Sequence, residues 1–432
     1  MADSMFLRAP TRSLGGIVMS KERGFYRQVI KVKNRIVLAY SGGLDTSFLI
    51  KWIQEKYDAE VITMTADVGQ GDDMKAVEEK ALTIGALRHH ALDIRNEFAR
   101  DYVFPAVKAN ALYEGKYPIS TALTRPLIAS KLVEIAHKEN ASGIAHGSTG
   151  KGNDQVRFDI GVKALAPDLK IVAPVREYSL SRAEELEYLH ENGITLPFEV
   201  SKKYSVDQNL WGRSIEGSDL EYPMHEPGED VFEWTSAAEK APNEAEYVTI
   251  EFERGVPCSV NEQMMEPVAL IEFLNKLGGR HGVGRIDHME DRLVGIKSRE
   301  VYECPAATLI IEAHKDLEKM VLTRHQSLFK NGVDAEWAFL VYAGLWLEPL
   351  KKNLDSFIDS TQERVTGQVK LRLYKGGFRV VGRQSTYSLY DLNLATYGAE
   401  TTFDQNLAHG FIELWGLQTI AANILGKHRE QS

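Results

Sequence analysis

The stretch Ala39-Tyr40-Ser41-Gly42-Gly43-Leu44-Asp45-Thr46-Ser47 decides how the chain folds. Ahead of it, Ile36-Val37-Leu38-Ala39-Tyr40 is a short apolar run that predicts a buried strand. Behind it, Phe48, Leu49, Trp52 and Ile53 recur at helical spacing. The stretch is thus a turn from strand to helix. Gly42 and Gly43 permit a tight bend and the close approach of a ligand. The first N–H groups of the helix lack intrahelical partners, and with the helix dipole they form an anion site suited to phosphate. Ser41, Thr46 and Ser47 are expected to add hydroxyl donors. Asp45 fits less easily beside phosphates; it is accommodated as a helix cap or through a bound Mg²⁺. The spacing is not the G-x-x-x-x-G-K-[ST] of a Walker loop. The plain alternative is a glycine turn with a capping Asp, and the position between strand and helix speaks against it.

Working outward, strand and helix alternate from Arg35. Val61-Ile62-Thr63-Met64, the run 89–92, Gly143-Ile144-Ala145-His146 and Ile171-Val172-Ala173-Pro174 read as further strands. Helices are expected over 72–84, over 94–111 with a bend near Pro105, and from Pro126 onward. Repeated βα units imply a parallel sheet covered on both faces, with ligands at the carboxyl ends of its strands. The expected class is α/β: a Rossmann-like nucleotide-binding domain over 31–198, an α+β domain over 199–400 and a C-terminal tail over 401–432. Residues 219–246 are acidic, Pro-bearing and without period, so they read as a long surface excursion. The run 248–253 alternates with period two, 267–277, 306–328 and 335–345 read as helices, and 369–381 reads as a hairpin turning at Gly376-Gly377. The stretch 407–425 is apolar nearly all round and is expected to dock on something.

Bulk properties narrow the function classes. A chain of 432 residues exceeds one typical core, which agrees with more than one domain. A net charge of −10 argues against a nucleic-acid partner. Only Cys258 and Cys304 occur, with no C-x-x-C, which excludes a disulfide framework and a Cys-rich metal site and fits a reducing, cytoplasmic setting. No apolar run is long enough to span a membrane. In residues 1–30, Arg8, Arg12, Lys21, Arg23 and Arg27 outweigh Asp3 and Glu22 without an apolar core, so a secretory signal is excluded. A disordered extension is expected there, with an organelle-targeting segment or a true start at Met19 as alternatives.

A second loop follows the fourth strand: His146-Gly147-Ser148-Thr149-Gly150-Lys151-Gly152-Asn153-Asp154-Gln155-Val156-Arg157-Phe158. Gly152 stands after Lys151 where a Walker loop has Ser or Thr. Thr149, Asn153, Asp154 and Arg157 offer a hydroxyl, an amide, a carboxylate and a guanidinium, a set that matches a zwitterionic amino acid. A flexible surface turn is the alternative, weakened by that density of polar groups.

The first motif resembles the pyrophosphate loop, S-G-G-x-D-[ST], of the ATP pyrophosphatases. Taken with Gly69-Gln70, Ala111-Leu112-Tyr113-Glu114, Arg125-Pro126, the 146–158 loop, Ser205-Val206-Asp207-Gln208-Asn209-Leu210, His281-Gly282-Val283-Gly284-Arg285-Ile286 and Lys297-Ser298-Arg299-Glu300-Val301-Tyr302-Glu303, the chain resembles the argininosuccinate synthase family from about Arg35 to the C-terminal helix. The resemblance implies an adenine-nucleotide α-hydrolase type of N-terminal domain, a synthetase and multimerisation domain, and a homotetramer whose C-terminal helices reach neighbouring subunits. It also implies a reaction. The ureido oxygen of citrulline attacks the α-phosphate of MgATP, and aspartate then attacks citrullyl-AMP to give argininosuccinate and AMP.

By position, the resemblance implies that Ala39, Tyr40, Ser41, Gly42, Gly43, Leu44, Asp45, Thr46, Ser47, Ala66 and Gly147 bind ATP. Tyr117, Thr121, Asn153, Arg157, Ser205, Ser214, Glu290 and Tyr302 are implied for citrulline, and Thr149, Asn153 and Asp154 for aspartate. Asp154 and Arg157 are the catalytic candidates; Mg²⁺ enters with ATP rather than on a protein cage. Many members read Thr-Ser-Leu where this chain has Thr121-Ala122-Leu123, so any contact of Ala122 is expected through its backbone. Asp154 and the adenylate phosphate both stand as acceptors for the amine proton of the second step. Gly278 and Gly279, after an apolar helix, read as a C-cap turn.

Three competing classes remain at this stage. A thiolating enzyme of the pyrophosphate-loop group would offer paired reactive cysteines, and an amidotransferase-coupled ligase would offer a glutaminase nucleophile or partner. A non-catalytic nucleotide sensor would keep the first loop and lose the second.

Overall fold

The computed structural model describes the backbone of residues 13–14, 17–22, 25–30, 34–178, 182–194, 203–398 and 402–430, with side chains for 34–178, 183–194, 203–398 and 402–427. The joins expected at 198/199 and 400/401 lie outside the described residues. Within 1–30, the described runs are Ile17–Glu22, which pairs antiparallel with Phe25–Ile30, and Ser13–Leu14, which pairs antiparallel with Ile17–Glu22. Those runs carry β-prone residues such as Ile17, Val18, Phe25 and Tyr26.

Five strands, in the order Arg88–Asp93, Ala59–Asp67, Asn34–Ala39, Gly143–Ala145 and Lys170–Val172, form a parallel sheet. The first of these in the chain lies in the middle, so the crossovers leave it on both sides and a crevice opens at its carboxyl end. Both faces are covered. Ile36 and Leu38 pack with Phe48, Leu49 and Ile53 of the helix Leu44–Tyr57. Val37, pointing the other way, packs with Leu132 of the helix Ser120–Lys138 and Val162 of the helix Asp154–Leu165.

In this first half two helix boundaries differ from the sequence reading, each near a proline. The helix over 94–111 is Arg95–Phe98, a π-turn Ala99–Val103 and Phe104–Lys108. Pro105 cannot donate to the carbonyl one turn back, and the wider turn absorbs the gap. The next helix begins at Ser120, and Pro126 stands inside it rather than at its start.

The second half carries two antiparallel sheets. One has the order Arg285–Asp291, Lys297–Glu303, Gly212–Glu216, Ser205–Asn209. The other runs Gln263–Met264, Val256–Val260, Glu246–Glu253, Gly367–Tyr374, Gly377–Gln384. The last hairpin turns at Lys375-Gly376, one residue earlier than expected, and both have positive φ, 42° and 81°, as a primed turn requires. The helices expected over 306–328 and 335–345 are Pro305–Val321 and Arg324–Tyr342, and the break comes earlier because Thr323 and Gln326 form a capping box there. Gly279 lies within the helix Pro267–Arg280 rather than in a cap; a Cβ there would stand 2.1 Å from the Trp234 carbonyl oxygen, so only glycine lets the two backbones meet. One apolar core joins Phe98, Leu123, Trp211, Ile310 and Trp337, tying the segment around 94–127 to the second half.

The excursion over 219–246 is mostly irregular, with short turns at Ser218–Glu221 and Glu229–Val231. Glu303, fully buried, pins it by accepting from Arg213, from the backbone N–H of Glu233, Trp234 and Thr235, and from the Thr235 hydroxyl. The tail is a helix, Leu407–Glu430, whose Phe411, Ile412, Leu414, Trp415, Leu417, Ile420 and Ile424 are each more than half exposed. Among the described residues no helix is long and apolar enough to cross a membrane.

Candidate active site

A cavity of about 1020 Å³ opens at the carboxyl end of the central strand, between the parallel sheet and the four-stranded antiparallel sheet. Its first wall is the glycine turn. Gly42 makes the bend at φ +75°; Gly43, at φ −71°, precedes the helix Leu44–Tyr57 without any side-chain cap. The first-turn N–H groups therefore keep their capacity for a ligand. A Cβ on Gly43 would meet only the Ser41 hydroxyl, at 3.3 Å. Ala39, Tyr40, Ser41, Gly43, Leu44, Asp45 and Thr46 line the cavity, with Ala66 and Gly147 beside them.

Two members of the motif turn away. Gly42 lies against Val77, and Ser47 is fully buried with its hydroxyl 3.2 Å from that of Tyr40. Ser47 is thus no ligand-facing donor, because its position in the helix points it into the sheet packing. Asp45 is exposed in the first turn and is not the cap, since the helix starts one residue ahead of it. Lys80 reaches over from a neighbouring helix to donate to the Gly42 carbonyl at 2.5 Å.

The second wall is the 146–157 loop. The ring of His146 donates through Nε2 to Asp159 at 2.9 Å and accepts through Nδ1 from the Ser148 N–H at 3.2 Å, which fixes where the loop leaves its strand. Thr149, Asn153, Asp154 and Arg157 all line the cavity. Asp154 accepts from Arg125 at 2.8 Å and from Arg157 at 3.0 Å, and Arg125 also pairs with Asp207. Burial pushes the Asp154 carboxyl up, but the two guanidiniums outweigh it and hold it well below the usual carboxylate range. Asp154 is therefore a weak proton acceptor.

The third wall is one face of the antiparallel sheet, bearing Ser214, Glu216, Glu290, Glu300 and Tyr302. Glu290 is buried and accepts from the hydroxyls of Tyr302 at 2.5 Å and Tyr342 at 2.6 Å. Tyr117 stacks on Tyr302 with centroids 4.0 Å apart, and Tyr113 stacks on Tyr342 at 3.5 Å. Thr121 and Ser214 share a hydrogen bond of 3.0 Å, and the Thr121 N–H donates to the Tyr117 hydroxyl at 2.9 Å. Ser205 is exposed at the rim. Arg292 lies between Glu216 and Glu300. Burial, reinforced by Glu216, drives the Glu300 carboxyl up to about 8 against the pull of Arg292. Ala122 is fully buried in the apolar core, away from the cavity.

Sequence reasoning had given no role to Arg125, Asp207, Glu216, Arg292, Glu300 or Tyr342, all of which line this cavity. For Glu216 and Glu300 a signal existed: each stands two residues from an expected site residue, Ser214 or Tyr302, the spacing that shares a face if the stretch is a strand.

A family model described as the arginosuccinate synthase N-terminal HUP domain matches residues 35–195, and one described as the arginosuccinate synthase C-terminal domain matches 204–422. The chain belongs to the argininosuccinate synthase family. An argininosuccinate synthase of Pyrococcus furiosus is 58% identical over 388 residues, covering 90% of this chain and 94% of the relative. Argininosuccinate synthases of Rubrobacter xylanophilus and Synechococcus elongatus are 56% and 54% identical, covering 89% of this chain and 93% and 96% of themselves. Like its family, the chain is a ligase that joins citrulline to aspartate with ATP, through citrullyl-AMP, to give argininosuccinate, AMP and pyrophosphate.

Proposed function

We propose that the three walls divide this reaction among them. ATP lies on the glycine turn, through Ala39, Tyr40, Ser41, Gly43, Leu44, Asp45 and Thr46, with Ala66 and Gly147; Gly42 and Ser47 serve by shaping the turn. Citrulline lies against Tyr117, Thr121, Arg157, Ser205, Ser214, Glu290 and Tyr302, and aspartate on Thr149 and Asp154, with Asn153 bordering both. What supports this reading is that groups drawn from segments far apart in sequence border one continuous cavity.

The first step asks chiefly for alignment and for charge stabilisation on the phosphates, which uncapped helix N–H groups are suited to give. Mg²⁺ would come with ATP, and Asp45 is the carboxylate of the turn that borders the cavity. In the second step the amine nitrogen of aspartate bonds to the citrullyl carbon, the bond from that carbon to the AMP oxygen breaks, and the amine loses a proton. Asp154, already ion-paired, is a poor acceptor, so the departing phosphate takes the proton. Asp154 and Arg157 then act by binding and orienting. Incubating the protein with ATP, citrulline and aspartate and assaying AMP and pyrophosphate tests the reading. Omitting any one amino acid must abolish argininosuccinate.

The assembly belongs to the same proposal. Burying a large apolar side chain is worth about 1.5–3 kcal/mol, so seven exposed on one terminal helix call for a partner. A homotetramer whose tails contact neighbouring protomers answers that need, with D₂ as the commonest tetrameric symmetry. Deleting everything after Ala408 should yield smaller species in size-exclusion chromatography with light scattering; an unchanged tetramer of unchanged thermal stability would count against the tail as clamp. Two free cysteines, Cys258 and Cys304, support a cytoplasmic setting. The divisions 31–198, 199–400 and 401–432 are proposed as nucleotide-binding domain, synthetase domain and oligomerisation tail, supported by the separate family matches over 35–195 and 204–422.

A further inference from the structure

Tyr342 lines the cavity, is fully buried and joins two of its walls. Its phenolic proton goes to the Glu290 carboxylate at 2.6 Å, the nearer and charged acceptor, rather than to the Asp291 carbonyl at 3.3 Å. The same oxygen accepts from the Asn153 amide at 2.8 Å. Asn153 spends its other end on the Leu293 N–H at 2.8 Å, in the turn that follows Glu290. The Tyr342 carbonyl accepts from Arg157 Nε at 2.9 Å, and the guanidinium of Arg157 lies 4.8 Å from the phenol ring. Asn153 precedes the helix Asp154–Leu165 and Arg157 stands in its first turn, whereas Glu290 belongs to the sheet.

The mounting behind Tyr342 is rigid. Tyr342 ends the helix Arg324–Tyr342, and on that helix Lys330 and Asp334 are buried in a network with Glu318, Asn110, His314 and Gln362. Asn110 opens the segment that carries Tyr113, the stacking partner of Tyr342. Both rings of the stack are therefore held from the same buried cluster, and the hydroxyl has little freedom to abandon its two partners.

We propose that Tyr342 is a positioning residue that couples the two amino-acid sites, its hydroxyl holding Glu290 and Asn153 in one fixed geometry. The proposal rests on the reading above, in which Glu290 serves citrulline and Asn153 serves aspartate. Tyr342→Phe keeps the ring stack and removes only the hydroxyl. The KM values for citrulline and for aspartate should each rise about tenfold or more, while that for ATP stays within about twofold, as expected from losing a hydrogen bond to a charged group. A hydroxyl that mattered only to stability would lower the melting temperature and move all three KM values together or none.

A second measurement does not depend on the variant folding well. With 3-fluorotyrosine at position 342, the ¹⁹F resonance should shift on adding either amino acid and stay put with ATP alone. KM values for both amino acids unchanged in Tyr342→Phe, or a resonance indifferent to both, would overturn the coupling. Wild-type protein that makes no AMP from ATP, citrulline and aspartate would instead overturn the functional reading on which it rests.

Discussion

On the parallel-sheet side of the cleft the ligand-facing groups are largely main chain: a bend at Gly42, an open position at Gly43 and uncapped N–H groups of a helix. Across the cleft they are the ends of side chains: Tyr302 and Tyr342 bond to Glu290, Asn153 bonds to Tyr342, and Thr121 bonds to Ser214. An arrangement of main-chain donors is intolerant of added bulk. An arrangement of bonded side-chain ends is vulnerable to the loss of single atoms. Substitutions should therefore fail in different ways on the two sides.

The sharpest break is expected from Gly43→Val. The chain itself has room for the new side chain, since only the Ser41 hydroxyl stands near, and φ is ordinary. The branch would occupy the space where phosphate approaches, so ATP affinity should fall by about a hundredfold or more, equivalent to at least ~2.8 kcal/mol. Circular dichroism should be unchanged. Unchanged nucleotide titration in the folded variant would remove the main-chain wall from the account.

Asp154→Ala addresses the border between the walls. It deletes a partner of both Arg125 and Arg157 without touching the glycine turn. Citrulline-dependent positional isotope exchange in ATP should persist, while release of AMP slows by about 10–100-fold, the scale of a lost charge-assisted bond. Loss of the exchange itself would move Asp154 to the first step.

The smallest effect concerns Glu300 on the side-chain wall. Its carboxyl is favoured protonated in the fold, up to about 8, by burial and by Glu216. A raised value means that the fold is helped fully below the unfolded value, about 4.3, and loses that help as pH rises toward 8. Glu300→Gln should flatten the decline in urea midpoint between those limits. An equally steep decline in the variant would show that another group titrates there.

The parallel sheet was legible because strands buried on both faces read as plain apolar runs, and all five of its strands were foreseen. The four-stranded sheet was not. Its strands 205–209, 212–216, 285–291 and 297–303 spend one face on the cavity, so Ser214, Glu216, Glu290, Glu300 and Tyr302 stand where a core strand would show Val or Ile. A binding face erases the alternation by which strands are recognised. Tyr342 was hidden for the opposite reason: at the end of an apolar helix it looks like core, and its role depends on groups nearly two hundred residues away. Arg125 had only a place in a motif, because its partners Asp154 and Asp207 lie 29 and 82 residues away.

The anchoring of the excursion by Glu303 carries a consequence for how the molecule breathes. One carboxylate receives three consecutive amides, at 3.0, 2.9 and 2.8 Å, together with a hydroxyl and a guanidinium. Those amides belong to a segment with almost no regular secondary structure of its own. Their protection from hydrogen exchange thus depends on a side chain in a neighbouring strand rather than on any local ladder. They should open to solvent as a group, in step with Lys297–Glu303, so that an irregular loop exchanges with the slowness of the sheet it leans on.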